Sequence, residues 1–108
     1  MNYVAIPGLK NPAQINTDDI VNKVCGYYGY DPTDVKKKCR KREMVTTRRM
    51  CIYFLKKRTS MTLKAIADIF EQDHTSVIHA LETQQDFIYI KDEPTIDAIR
   101  QINSLLNS

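Results

Sequence analysis

Glycine and proline are scarce in this chain of 108 residues: there are three Gly and four Pro, against 43% hydrophobic residues and charge of mixed sign. Such a composition excludes low-complexity and fibrous classes and describes a soluble globular protein, long enough for one domain with a modest core. No apolar run approaches the ~20 residues that a membrane span needs. The start "MNYVAIPGLKNP" also lacks the basic and apolar regions of a signal peptide. A cytoplasmic protein without a membrane partner is expected. Cysteine is equally sparse: Cys25, Cys39 and Cys51 are odd in number and form no CxxC pair. Neither a disulfide framework nor a zinc site follows, so reduced thiols and no metal or other cofactor are expected. Carboxylate pairs and His/Cys clusters of the kind a metal-dependent or covalent-nucleophile enzyme uses are missing too, so no enzyme is expected.

What the sequence does have is a one-sided distribution of charge. Eleven of the sixteen basic residues lie between Lys36 and Arg58, where Glu43 is the one acid. From Thr59 onward the balance reverses, with Lys64, Lys91 and Arg100 set against eight carboxylates. A block of one sign is either a solvated face or the footprint of a polyanion, and charge alone leaves the two open.

Local signals give an all-α chain of five to six helices. Residues 1–16 contain Pro7-Gly8 and Asn11-Pro12 and read as an arm. Thr17 is expected to cap a first helix, with Asp18 and Asp19 at its positive end and Gly29 as a left-handed stop. Asp31-Pro32 opens a short second helix that runs into "KKKCRKR", a run too densely charged for regular helix and placed on a loop. The sextet "MCIYFL" alone fits a buried strand, but residues 43–58 contain no Gly or Pro and have no alternating partner, so a central buried helix is preferred. Thr62 caps a helix whose Leu63, Ile66, Ala67 and Phe70 form an i, i+3, i+4, i+7 stripe. Asp73 caps the next, expected to bury Val77, Ala80, Leu81, Gln84 and Ile88. Pro94 opens a last helix, expected to face inward through Ile96, Ile99, Ile102, Leu105 and Leu106.

The two helices on either side of "EQ" form a helix-turn-helix, whose second helix enters the DNA major groove with its N-terminal residues at base edges. Val77 and Leu81 fix the inner face, so at about 100° per residue His74, Thr75 and Ile78 point outward. Asp73 can accept from a cytosine amino group, Thr75 and Ser76 can bond bases or phosphates, and the Thr75 methyl suits a thymine methyl. Asp, Thr and Ser also favour helix starts whatever the function, so the tetrad Asp73-His74-Thr75-Ser76 is equally capping chemistry.

"FEQDHTSVIHA", with its D-H-T-[TS]-V core, resembles the signature of the C-terminal DNA-binding domain of the bacterial replication initiator DnaA. The similarity continues upstream through "LKAIADIF", "RRMCIYFLKKRT" and "KKKCRKR", covering about residues 17–106. The resemblance implies a Trp-repressor-like helix-turn-helix fold over residues 17–108 and double-stranded DNA as the partner. It implies base reading by Asp73, His74 and Thr75 in the major groove and by Arg40 in the minor groove. It implies supporting or backbone contacts from Ser76, Arg48, Lys56 and Leu63, the last through its N–H, with Lys38, Arg42 and Lys64 adding charge. His79 lies about 140° from His74 around the helix and is expected to pack or hydrogen-bond. The chain departs from the family pattern where "EQ" is shorter than a Gly-Gly-Arg type turn, where Thr46-Thr47 replaces Arg-Pro, and where Lys64 replaces Pro.

No GxxxxGK[ST] occurs, and Gly8, Gly26 and Gly29 make no phosphate loop. The expectation is therefore a stand-alone DNA-binding protein that acts in replication or its regulation without an ATPase module. The competing reading is a transcriptional regulator or an adaptor that recruits a protein partner through the arm or the last helix. The sequence leaves the oligomeric state open, with a monomer as the default.

Overall fold

The computed structural model describes residues 17–37 and 41–107. They form six helices and, among the described residues, no strand: α1 (Thr17–Tyr28), α2 (Pro32–Lys36), α3 (Arg42–Arg58), α4 (Leu63–Ile69), α5 (His74–Tyr89) and α6 (Glu93–Leu106). The expected all-α class is therefore observed. The arm lies outside the described residues.

Side chains cap three helices where the sequence indicates, and Asp92, rather than Pro94 alone, opens the last. Asp31 accepts from the Thr33 amide at 2.8 Å, Thr62 from Ala65 at 3.1 Å, Asp73 from Ser76 at 2.9 Å and Asp92 from Thr95 at 3.2 Å. Each bond satisfies one of the amides that a helix start leaves without a partner. Thr17 differs from expectation, being the first helical residue of α1, with its hydroxyl 3.5 Å from Met61 Sδ. The basic run also divides differently. Lys36 closes α2 and Arg42 opens α3, because helix formers outweigh local repulsion at both ends; of the run, Lys38, Cys39 and Arg40 lie outside the described residues.

The ambiguous sextet is helical and lies at the centre of the core. Met50, Cys51, Ile52, Phe54 and Leu55 are all buried, with Tyr53 half-buried beside them. From one side α1 contributes Ile20, Val21, Val24 and Cys25; from the other, the α4–α5 pair contributes Ile66, Ala67, Phe70 and Val77. Cys25 and Cys51 are free thiols within this core, their sulfurs 4.0 Å apart.

The inward stripe of α6 is not the expected one. Thr95, Ala98 and Ile102 are buried and Ile99 and Leu106 pack at the edge, whereas Ile96 lies off the core and Leu105 is exposed. Bonds at both ends fix this rotation. Asp92 takes both the amide and the hydroxyl of Thr95, and Arg58 donates to Asn103 Oδ1 at 2.7 Å and Asn107 Oδ1 at 3.0 Å. On α5, Val77 and Gln84 are buried, Ala80 and Leu81 line the core edge, and Ile88 is only half-buried.

Three helices end in the same way. After α1, α4 and α5 the chain passes through a left-handed residue, Gly29 (φ 82°), Glu71 (φ 55°) and Lys91 (φ 57°) respectively. The following amide then reaches back over the last turn: Tyr30 to Cys25 O at 2.9 Å, Gln72 to Ala67 O at 3.0 Å and Asp92 to Phe87 O at 3.0 Å. This is a Schellman closure, which favours glycine at the left-handed position because a Cβ is strained there. Glu71 and Lys91 bear that strain. Replacing either with Gly is expected to stabilise the fold by about 0.5–1 kcal/mol, since relief of αL strain exceeds the greater unfolded-chain entropy of Gly. Urea unfolding measures this directly, and a loss of stability in both variants would contradict it.

Candidate nucleic-acid interface

The interface is built on α4, the turn and α5. The stripe Ile66, Ala67 and Phe70 seats α4 on the core, and Val77 holds α5 against it. The turn between them is only Phe70–Gln72, made possible by the left-handed Glu71. With Val77 pointing in, Asp73, His74 and Thr75 stand exposed at the start of α5, while Ser76 and Ile78 are half-buried at its flanks. Asp73 is a cap, as its bond to the Ser76 amide shows. An exposed oxygen-bearing side chain at this position can serve a cap and a base edge together.

His79 is exposed, with Nδ1 3.6 Å from Glu82 Oε1. It stands beside a carboxylate at the surface rather than packing in the core. His74 and His79 share no site, and among the described residues no group of three or more His, Cys, Asp or Glu could hold a metal ion.

The expected basic residues fall into distinct settings. Arg42 is exposed at the first turn of α3, and Lys56 is exposed on its C-terminal half. Lys64 is exposed on α4, with Asp68 at 3.8 Å, and Leu63 is the first residue of that helix. Lys38 and Arg40 lie outside the described residues. Arg48, expected at the DNA, is instead buried, with 4% of its surface exposed. Its guanidinium donates from Nε to Val35 O at 3.0 Å and from Nη2 to Lys37 O at 2.6 Å. The side chain turns inward because the last carbonyls of α2 lack helical partners and lie within its reach.

Arg49 was not singled out by the sequence, although it joins the interface helix to α3. Its Nε donates to Gln84 Oε1 at 3.0 Å, and its guanidinium lies 4.7 Å over the Phe87 ring. Gln84 is wholly buried and donates from Nε2 to Met50 Sδ at 3.4 Å. Burial lowers the Arg49 pKa, but a guanidinium stays charged at neutral pH. Arg49 also borders an open groove of about 240 Å³ between α3 and α5, with Val45, Gln72, Ser76 and Thr83. The adjacent pair Arg48-Arg49 held no signal for which partner each would find, because those partners are 11 to 38 residues away in sequence.

A short capped helix, a tight left-handed turn and a second helix with an outward polar start define a helix-turn-helix protein. Residues 17–83 match the bacterial dnaA protein helix-turn-helix, and the chain belongs to that family. It is 35% identical over 75 residues to the chromosomal replication initiator protein DnaA of Campylobacter jejuni subsp. jejuni serotype O:23/36 (strain 81-176), covering 68% of this chain and 17% of the relative. The protein of that name from Chlorobaculum tepidum is 34% identical over 84 residues, which is 77% of this chain and 17% of the relative. Chromosomal replication initiator protein DnaA 1 of Chlamydia pneumoniae is 29% identical over 89 residues, covering 82% and 19% respectively. The chain thus spans 17–19% of the length of these relatives. No helix among the described residues is long and apolar enough to cross a membrane.

The division between inner and outer faces has a direct test. His74→Ala and Thr75→Ala are expected to change stability by no more than about 0.5 kcal/mol, whereas Ile66→Ala should cost about 2–5 kcal/mol. Thermal melts of the three variants measure the contrast, and unfolding by His74→Ala would move that residue into the core.

Proposed function

We propose that the chain is a sequence-specific double-stranded DNA-binding protein that acts in replication or its regulation. One observation carries the reading: His74 and Thr75 are exposed at the capped start of α5, the second helix of a helix-turn-helix in the dnaA family. In this reading residues 17–108 are the binding domain and 1–16 an arm. Asp73, His74 and Thr75 meet base edges in the major groove, where carboxylate, imidazole and hydroxyl groups can discriminate donors from acceptors. Arg40 enters the adjacent minor groove, whose negative potential deepens where A·T pairs narrow it. Ser76, Lys56, Lys64, Arg42, Lys38 and the Leu63 amide meet phosphate, fixing register without reading sequence.

A second reading, an adaptor that recruits a protein, has one supporting feature. Tyr89 is 86% exposed and Ile90 66% exposed at the far end of α5, away from its reading start. Selection from random duplex DNA, followed by binding across a salt series, separates the two. The DNA-binding reading expects log K to fall with log salt at a slope of roughly −4, for the four cations it places at phosphate. It also expects the selected duplex to keep a preference of about 10³-fold or more over a scrambled one as salt rises. A selection that enriches no sequence would leave the adaptor.

Asp73→Asn separates capping from reading. Asn caps nearly as well as Asp, so melting should be near normal. Its amide donates as well as accepts, so preference at one base pair should shift by about 1–3 kcal/mol, in the direction of adenine. An unchanged profile across all single-base variants of the selected site would leave Asp73 a cap alone.

A further inference from the structure

We propose that the corner where α5 meets α6 docks a cationic, amphipathic segment of another protein. The proposal rests on the adaptor reading above, which it deepens, and asks nothing of the DNA-binding one.

Four large apolar side chains gather at this corner without serving the core. Tyr89 and Ile90 are exposed, and Ile88 and Ile96 are half-buried but stand outside the core cluster. Ile88, Pro94 and Ile96 line an open groove of about 900 Å³ between the end of α5 and the first turns of α6. A groove of that size holds several side chains of a partner. Tyrosine is enriched at interface centres, and adjoining exposed apolar side chains mark a contact surface rather than a solvated helix end.

The corner is closed by hydrogen bonds, so the patch is presented in one arrangement. The amides of Ile90, Lys91 and Asp92 bond the carbonyls of Asp86, Ile88 and Phe87 in turn, each at 3.0 Å, and Lys91 is left-handed at φ 57°. Asp92 then caps α6 through the amide and hydroxyl of Thr95, which helps to keep Ile96 turned off the core. With both helices tied at the turn, little backbone ordering remains for binding to impose.

Charge selects the occupant. From Glu82 to Ser108 five carboxylates, Glu82, Asp86, Asp92, Glu93 and Asp97, stand against Lys91 and Arg100, a net of −3. Glu93 and Asp97 border the groove itself; Lys91 and Arg100 border it too, but Arg100 lies 3.7 Å from Asp97. An acidic rim repels phosphate, so duplex DNA does not suit this face, and two copies meeting through it would bring like charges together. A segment whose lysines or arginines flank large apolar anchors matches both the rim and the floor. Tyr89 lies fifteen residues from His74, about 22 Å along the helix, so a partner here and a duplex at the start of α5 can be held at once.

Short random peptides displayed on phage and selected on the immobilised full chain supply the probe; the enriched peptide is then synthesised and titrated in solution. Enrichment of lysine or arginine beside large apolar residues is expected. Affinity for that peptide should fall about tenfold or more in Tyr89→Ser/Ile90→Ser. In Glu93→Gln/Asp97→Asn it should fall about threefold or more and lose most of its dependence on salt. All four residues are exposed, so both variants should melt as wild type does. On titration of the wild type, amide shifts of residues 88–100 should move while those of 74–78 stay in place. No enrichment, enrichment of neutral or acidic peptides, or full affinity in Tyr89→Ser/Ile90→Ser would overturn the proposal. So would a dimer in sedimentation that Tyr89→Ser/Ile90→Ser dissociates, making the corner a contact between copies, or movement of the 88–100 shifts on adding duplex DNA. A peptide that moves only the shifts of other helices would remove this site and leave the adaptor reading standing.

Discussion

The middle of α3 is the constraint on which the rest of the structure depends. Five of the residues from Met50 to Leu55 are buried, so this helix needs neighbours on nearly every side. Fully burying side chains of this size is worth about 1.5–3 kcal/mol each, which makes their burial the dominant local term. The α4–α5 pair covers one side through Phe70 and Val77, and α1 covers another through Ile20 and Val24. Because Val77 must point at this core, the rotation of α5 is decided, and with it the exposure of His74 and Thr75. The outward face of the helix-turn-helix is thus a consequence of inward packing three residues further on.

Polar bonds then refine what packing leaves loose. The wholly buried Gln84 stands on the same side of α5 as Val77, a position where an aliphatic residue would have served the core. Its amide is satisfied by Arg49 and Met50, both on α3, so the second half of α5 is tied to the central helix by direction-dependent contacts. Buried polar groups that find partners restrict a helix to one register more strictly than apolar contacts do. Arg58 has a similar effect on the end of α6, where its fork takes Asn103 and Asn107.

Three helix starts were legible in the sequence because capping is local: Asp31, Thr62 and Asp73 each bond an amide two or three residues away. The outward face at the start of α5 was legible for a related reason, since apolar spacing fixes an inner face and the opposite face follows. What could not be read depended on distant partners. Arg48 and Arg49 are identical in type and adjacent, yet one turns to α2 and the other to α5. Leu105 and Ile96 fit an inward period as well as Ala98 does, and only the Asp92 and Arg58 bonds settle the rotation of α6. Glu71 fits no turn rule, because a charged residue at a left-handed position is recognisable only from the backbone.

The helix-turn-helix carries few cations for a DNA-binding element. Between Leu63 and Thr83 the charged residues are Lys64, Asp68, Glu71, Asp73 and Glu82, a net of −3 with histidines neutral. Placed alone in a major groove, such a segment would be repelled by phosphate, and its readers could not bring it there. The eleven cations between Lys36 and Arg58 supply the opposite sign, and α3 carries several of them directly beside α5. In the proposed function, affinity and sequence reading are in this way assigned to different segments, with α3 as the rigid connection. Such a separation would let the start of α5 use short, neutral or acidic side chains that hydrogen-bond directionally. A surface that attracted DNA through its own readers would bind every sequence more evenly; in the proposed complex attraction comes from a neighbouring segment, so the residues proposed at base edges are released for discrimination.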